Sequence, residues 1–600
     1  MERKHVKLYD TGRPVVQGSH GVVSAGHSLT AMSAMRMLLS GGNAFDAAAA
    51  AGVTAAVVEP IASYSLAAEG SIMVYHAASR QLRVLSGQGV AAGGATVSLF
   101  KERGLDKIPT GPGPNAELSF TVPGVMDAFI TMLETYGTRT LGEAIAPAID
   151  YADRGFPMYE LMRDRLQSSL TIQQFRRYPP GGMDVFYPGG QPYEVGQLLV
   201  QKQLATTMKK MVQAECDAAG HRLAGLQAAR EMFYQGDIAR TIVQCSERVG
   251  GLLGLDDLAS YRARYEEPLK TTFMGHEICA QSTWTQGATL LQVLNMLEHF
   301  DLRAMGHNSS QYIHTITEAF KLAFADRERY YGDPNFASVP IDGLLSKEYA
   351  AARARLIRSD RAYPELPEPG DPWRFSNHGA TAPGAGKATG ATRRVSPTLT
   401  PGDGGDTRDG TTHFAIIDRD GNMVCATPSG GVFAKSVFFP ELGCALSTRS
   451  EMFFLDEEHP NGLRPGKRPR TTLVNYMVCK DGQPIMTIGC PGGDNQAQAD
   501  LQLILNVLVF GMDPQEAVEA PRFACWSMVN SFYPRAYLPG QLNVEPGIPG
   551  DVCSKLASLG HKVVEVDTCG SGAIVTQRDP DTGALSASGD PRKTTYAIGW

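Results

Sequence analysis

Thr411, Thr412 and His413 follow directly on Gly410, and Ser429 comes a short way downstream. The segment from Thr411 to Ser429 reads TTHFAIIDRDGNMVCATPS: two apolar runs, His413–Ile417 and Met423–Thr427, around DRDGN. Asp-Gly between such runs predicts a β-hairpin. With Arg419-Asp420-Gly421 as the loop and Gly421 at positive φ, His413 faces Thr427 and Thr411 faces Ser429. A two-residue loop would shift that pairing by one. In either register the Ser429 hydroxyl returns close to Thr411, because opposed Cβ atoms lie about 4.5–5.5 Å apart. If the Gly410–Thr411 bond were cut, Thr411 would gain an α-amine with a pKa of about 7.7–8.0. Such an amine can serve as base for the hydroxyl beside it. In the uncut chain the same hydroxyl could attack the Gly410 carbonyl, which no side chain obstructs. Paired threonines at a strand start are also commonplace, so these residues alone leave a plain strand open as well.

A nucleophile for acyl transfer needs donors for an oxyanion. Pro484–Gly489 (PIMTIG) predicts a strand, followed by Cys490-Pro491-Gly492-Gly493, with Asp494 as N-cap of a helix from about Asn495 to Phe510. A Gly-Gly turn at a helix start presents bare backbone N–H groups to an anion. By itself it is equally an ordinary strand-to-helix turn.

The elements that must position these groups begin with a strand at Gly21–Ala25. A helix at Ser28–Leu39 stops at Gly41-Gly42, and an Ala-rich helix runs from Asn43 or Asp46 to Glu59-Pro60. Ser71–Tyr75 and Leu82–Leu85 predict neighbouring strands. From Gly124 to Ile357 the pattern is mainly helical, clearest at Val125–Tyr136, Leu199–Ala214 and Ser310–Asp326. From 377 to 410 the chain is rich in Gly, Pro, Thr and Ala and has almost no large apolar residue, which predicts a flexible linker.

Composition bounds the function classes. The 600 residues are 43% hydrophobic and 20% charged, enough for a substantial core, and the net charge of −7 disfavours a nucleic-acid protein. No apolar run is long enough to span a membrane, and the N-terminus MERKHVKLYD lacks the apolar core of a secretory signal. Ten cysteines without a CxxC pair predict a reduced, cytoplasmic protein. The histidines show no metal-ligand spacing, so no metal is expected, and no cofactor either. The GQGVAA stretch at 87–92 is too weak for a dinucleotide site, with no clear helix after it. His413 reads as structural, and Phe438-Phe439 and Phe453-Phe454 as core or pocket wall.

Over nearly its whole length, from Gly21 to Trp600, the chain resembles the γ-glutamyltransferase family of N-terminal nucleophile (Ntn) hydrolases. The resemblance is carried by GVVSAGHSLTAMSAMRMLLSGGNAFDAAAAAGVTAAVVEP, REMFYQGDIA, GGLLGLDDLASYRARYEEPL, FADRERYYGDP, the closing GDPRKTTYAIGW and above all TTHFAIIDRDGNMVCATPS. It implies an α+β fold, a four-layer αββα sandwich, and autocatalytic cleavage at Gly410–Thr411. The products would be a large chain, 1–410, and a small chain, 411–600, intertwined as one unit. It further implies Thr411 as nucleophile, Ser429 as its supporting hydroxyl with Thr427 on the same strand, and Gly492 and Gly493 as the oxyanion hole. Thr471 and Thr472 stand at a substrate-contacting hydroxyl pair.

Three departures bear on the substrate. The arginine that the family's transferases place after an early strand is missing from Ser86-Gly87-Gln88-Gly89. Gly431 replaces an asparagine, and the acidic position falls on Met452 or Phe453. Each lost charge-assisted contact is worth about 1.5–3 kcal/mol. Together with HPNGLRPGKRPRTTL, they resemble the amidohydrolase and acylase branch, with Arg449 or Arg470 as the nearest cation for a substrate carboxylate. The expected activity is cleavage of a small amide or acylated amine, through an acyl-enzyme on Thr411 that water resolves. γ-Glutamyl transfer or glutathione hydrolysis, and a non-catalytic scaffold, are the alternatives. The expected partners are a small-molecule amide and the two chains of one precursor, open to further dimerisation, with no nucleic acid and no membrane.

Overall fold

The structure is a computed structural model that describes residues 7–111, 113–177, 181–376, 410–433 and 435–600. The predicted linker therefore lies outside the described residues except for Gly410. Two seven-stranded antiparallel sheets form the centre. The front sheet runs, edge to edge, Tyr596–Gly599, Gly21–Ala25, Phe414–Asp418, Met423–Ser429, Glu69–His76, Gln81–Gly87 and Arg264–Glu266. The back sheet runs Val16–Gly18, Leu585–Ala587, Ile574–Arg578, Gln483–Gly489, Tyr476–Lys480, His276–Ala280 and Leu269–Phe273. Both sheets mix strands from before and after residue 410.

Three apolar layers follow from this stacking. Val22, Met73, Ile417 and Cys425 of the front sheet meet Met477, Cys479 and Ile574 of the back sheet in a thin inner layer. Helices cover the front sheet's outer face, among them Ser28–Leu39, Ala44–Val58 and Val125–Tyr136. Gly287–Leu297, Ser310–Tyr330 and Gln496–Leu508 cover the back sheet. This is the four-layer αββα sandwich. The Ala-rich helix is buried along its whole length. Its small side chains let neighbours approach closely: a Cβ on Gly52 would stand 2.0 Å from the Phe129 ring. Asn43 and Asp46 close its N-terminus as a capping box.

The hairpin forms in the register of the three-residue loop. Phe414 pairs with Ala426 and Ile417 with Met423, and Gly421 has φ 83°. One expectation is refined and one corrected. The stretch from Gly124 to Ile357 is mainly helical but also holds the strands Arg264–Glu266, Leu269–Phe273 and His276–Ala280. They are short and of mixed polarity; the first two are sheet edges, and a turn at Met274 (φ 49°) and Gly275 (φ 76°) joins the second to the third. Asp494 does not cap a helix. A 3₁₀ turn at Gly493–Asn495 leads into Gln496–Leu508, and the Asp494 carboxylate is taken by Arg327 and by the amide and hydroxyl of Ser531. No helix among the described residues is long and apolar enough to cross a membrane.

Candidate active site

Alternation along the hairpin decides which residues meet. Thr411, His413, Thr427 and Ser429 share the face that looks into the space between the sheets, whereas Thr412 points to the helical layer. The Thr411 hydroxyl donates to Ser429 Oγ at 3.3 Å, and Ser429 Oγ lies 3.5 Å from the Ser63 carbonyl. The backbone here is unusual. Gly410 has φ 74° and Thr411 φ 72°. For a β-branched residue the left-handed region is a true outlier, held only by its surroundings, at a cost of about 1–3 kcal/mol. Two contacts hold it: the Thr411 N–H donates to the Ala62 carbonyl, and Lys593 Nζ donates to the Thr411 carbonyl at 2.9 Å.

Behind the nucleophile candidate, Thr412 donates to Glu59 Oε2 at 2.7 Å and Thr30 to Glu59 Oε1 at 2.6 Å. Burial raises the Glu59 carboxyl above its ordinary value, against those two hydrogen bonds and the charge of Lys593. Gly26 leaves room for this cluster, since a Cβ there would stand 2.3 Å from both Glu59 Oε2 and Thr412 Oγ1. His413 and Thr427 belong to the layer beneath. His413 Nδ1 lies 2.8 Å from Thr427 Oγ1, which donates to the Val474 carbonyl at 2.8 Å and accepts from Asn475 Nδ2 at 3.2 Å. Burial pushes the imidazole down to about 3, which keeps the ring neutral. The Thr427 hydroxyl is fully used by this network, which sets it apart from substrate contact.

The glycine turn approaches from the back sheet. The strand Gln483–Gly489 ends against His413, where a Cβ on Gly489 would stand 2.1 Å from the ring. The chain then runs through Pro491 to Gly492 (φ 129°) and Gly493 (φ 59°). At the start of the 3₁₀ turn their amides have no partner within the turn and are available to an anion. Gln286 Nε2 ties this turn to the threonine pair, donating to the Gly493 carbonyl at 3.0 Å and to the Thr472 carbonyl at 2.9 Å. The buried Thr472 hydroxyl has no hydrogen-bond partner among the described residues, whereas Thr471 Oγ1 accepts the Leu473 amide.

The third wall is a loop that the sequence reading only half identified. Gly431, at φ 67°, lets residues 447–451 close over the end of the hairpin: a Cβ there would stand 2.8 Å from Thr448 Oγ1. The Gly430 carbonyl accepts from the Thr448 amide at 2.9 Å and the Ser447 hydroxyl at 3.1 Å. Arg449 is 1% exposed and pairs at 3.5 Å with Glu69, whose position lies opposite Ser429 in the sheet. Burial raises the Glu69 carboxyl, while Arg449 and hydrogen bonds from Ser447, Thr121 and Gln88 oppose the rise. Gln88 thus stands in the stretch that lacks the family arginine and binds the carboxylate that Arg449 neutralises. Arg449 Nη2 and Glu451 Oε2 are buried without a hydrogen-bond partner among the described residues. The Phe532 ring closes the wall. Lys435 Nζ lies 4.6 Å and Arg449 Cζ 5.8 Å from its centre, and a Gly493 Cβ would meet it at 2.9 Å.

A chain of contacts runs from Ser429, opposite Glu69, through Arg449 and the Phe532 ring to Gly493, and Gln286 joins Gly493 to Thr472. Arg470 is buried on Glu328 Oε1 at 2.9 Å and on the Arg327 carbonyl. Sequence reasoning missed Glu59, Ser63, Glu69, Glu451, Phe532 and Lys593. Glu451 lies one residue before Met452, the position at which the sequence reading looked for an acid. Lys593 sat inside the closing motif but had no partner in view.

The chain matches the family model described as Gamma-glutamyltranspeptidase over residues 30–600. It is 30% identical to the glutathione hydrolase proenzyme of Bacillus subtilis (strain 168), over 100% of this chain and 94% of that one. It is also 30% identical to the acylase ACY 1 proenzyme of Pseudomonas sp. (strain V22), over 96% and 93%. Among solved structures, LmbA2991HD superposes with a TM-score of 0.90 at 38% identity, covering 99% of this chain and 100% of that one. The cephalosporin acylase from Bacillus halodurans superposes with a TM-score of 0.80 at 28% identity, covering 100% and 99%. Sequence, sandwich and site together place this chain in the γ-glutamyltranspeptidase family, as an Ntn-type enzyme acting on C–N bonds.

Proposed function

We propose that the chain is a self-processing threonine amidohydrolase whose nucleophile is Thr411. The observation that carries this reading is the Thr411 hydroxyl on Ser429 at 3.3 Å, directly after a peptide bond flanked by two residues at positive φ. In the precursor the hydroxyl attacks the Gly410 carbonyl, and the amide becomes an ester on Thr411 Oγ1. Water hydrolyses that ester, giving a 1–410 chain and a 411–600 chain. Breaking the bond also relaxes the strained φ of Thr411, which favours cleavage. The new α-amine, with a pKa of about 7.7–8.0, then takes the hydroxyl proton as Oγ1 attacks a substrate amide. The Gly492 and Gly493 amides face the oxyanion, a contribution of about 2.7–4 kcal/mol per donor in comparable sites. The leaving amine takes the proton back, and water, deprotonated by the same α-amine, releases the acid. Ser429 orients Oγ1 throughout.

At the end of the hairpin lie a cation and an acid, whose Arg449 Nη2 and Glu451 Oε2 have no hydrogen-bond partner among the described residues. A substrate bearing a carboxylate on its acyl side fits the first. A head group with both carboxylate and ammonium fits the pair, which supports the second reading, γ-glutamyl transfer or glutathione hydrolysis. A γ-glutamyl chromogenic amide, assayed with and without glycylglycine beside a panel of N-acylated amines read by mass spectrometry, separates the two. Hydrolysis predicts release that is indifferent to the acceptor. Strong acceleration by glycylglycine would overturn the preference for water.

A further inference from the structure

Cys279 and Cys479 meet in the inner layer, where His276–Ala280 and Tyr476–Lys480 run side by side. Their Sγ atoms are 4.0 Å apart, Cys279 Sγ is 3.7 Å from Glu277 Oε1, and all three donors lie within 4.8 Å of one another. In the register, Cys279 stands opposite Met477 and Glu277 opposite Cys479. The cysteines are therefore diagonal neighbours, with Cα atoms about 7–8 Å apart. A disulfide asks for Cα separations of about 4.4–6.8 Å, so this pair cannot bond to itself without moving a strand. It is well spaced to share an ion. A tetrahedral centre with metal–sulfur bonds of about 2.3 Å and metal–oxygen bonds of about 2.0–2.2 Å sets its sulfurs about 3.8 Å apart and sulfur and oxygen about 3.6 Å apart. Both thiols are buried, but the Glu277 side chain is 38% exposed and opens a route for an ion and for water. Lys270 Nζ, 3.0 Å from Glu277 Oε1, must turn away, and its side chain is 47% exposed and free to do so.

We propose that Glu277, Cys279 and Cys479 form a site for one thiophilic divalent cation of the zinc and cadmium class, with solvent completing the coordination. Binding replaces two S–H bonds by two metal–thiolate bonds and releases two protons to solvent past Glu277; no electron is transferred. Motif reading could not find the site, because its ligands lie 200 residues apart in the chain. They also lie on opposite sides of residue 410, so in a processed molecule the ion would clamp the two polypeptides together, although the site itself does not depend on processing.

The test uses the full chain and Cd²⁺ in reducing, chelator-free buffer. The expected result is a thiolate-to-cadmium ultraviolet band that saturates at one ion per chain. Cys279→Ser and Cys479→Ser should each weaken binding roughly tenfold or more. Cys216→Ser, which removes an exposed thiol elsewhere, should leave it unchanged. If a serine variant fails to fold, X-ray absorption at the cadmium edge of the unsubstituted protein decides, with two sulfur neighbours expected and fewer overturning the proposal. A band that survives both serine variants also overturns it. So does a Cys279–Cys479 disulfide found by peptide mapping of protein kept from reductant.

Discussion

At the scale of single residues, Thr411 has two properties that substitution can separate: a hydroxyl and a strained backbone. Thr411→Ala removes the hydroxyl and should abolish both cleavage and turnover, by roughly 10³-fold or more for a lost nucleophile. Thr411→Gly removes the hydroxyl and also the side chain that makes φ 72° costly. Both variants should remain single polypeptides on a denaturing gel. The glycine variant should be the more stable of the two in denaturant titration, by about 1 kcal/mol. Equal stability would mean that the left-handed backbone stores nothing at this bond. Ser429→Ala leaves Thr411 in place but removes the acceptor of its hydroxyl, a bond worth about 0.5–1.5 kcal/mol. Turnover of a good substrate should fall about tenfold or less, with little change in melting temperature. A drop as large as that of Thr411→Ala would give Ser429 a larger part than orientation.

At the scale of elements, the helix Ser28–Leu39 offers a pH test with a definite sign. Its N-cap is His27, whose Nδ1 accepts the Leu29 amide at 3.2 Å and whose ring packs against Tyr159. Accepting that bond requires the neutral imidazole, and burial holds its pKa down to about 4, from 6.5. The unfolded chain takes up a proton below 6.5 that the folded chain refuses until about 4. This histidine's contribution is therefore complete above 6.5 and is lost as pH falls through that window. His27→Asn keeps a capping acceptor and removes the titration. The stability gap between wild type and variant should move in the variant's favour by about 1.4 kcal/mol per pH unit below 6.5, read from denaturation midpoints at neutral and mildly acidic pH. A gap that stays constant would sink the assignment. The same scale shows what the sequence made legible. The hairpin was readable because Gly421 and alternating apolar runs are local signals, and the Ala-rich helix because its capping box is local too. The short strands at 264–280 were not, because pairing with distant strands stabilises them where their own polarity is mixed. Asp494 matched a cap by spacing, yet Arg327, far away in sequence, claims it. Arg449 was named as a cation, but its partner Glu69 is a long-range fact that no spacing discloses.

At the scale of the whole molecule, topology dictates what a cut before Thr411 can and cannot do. Phe414–Asp418 lies between Gly21–Ala25 on one side and Met423–Ser429 on the other, and Met423–Ser429 is bonded in turn to Glu69–His76. In the back sheet, Tyr476–Lys480 is bonded to His276–Ala280. The last residue is woven in as well: the Trp600 carbonyl accepts the amides of Ser19, His20 and Gly21. Removing residues 411–600 would strip the front sheet of three of its strands and the back sheet of four, and would expose the inner apolar layer, so the two products share both sheets and the layer between them. The cleaved protein should therefore elute from a sizing column as an undivided particle under native conditions. A denaturing gel of the same fraction should resolve it into bands of about 44 and 20 kDa, in proportion to chain length from a mass of 64.5 kDa. N-terminal sequencing of the shorter band should begin Thr-Thr-His-Phe. Residues 411–600 expressed alone should be insoluble, because their strands would present unpaired edges. A soluble, folded 411–600 fragment would contradict the shared-sheet account, and any other starting tetrapeptide in fully active protein would remove Thr411 from the centre of the chemistry.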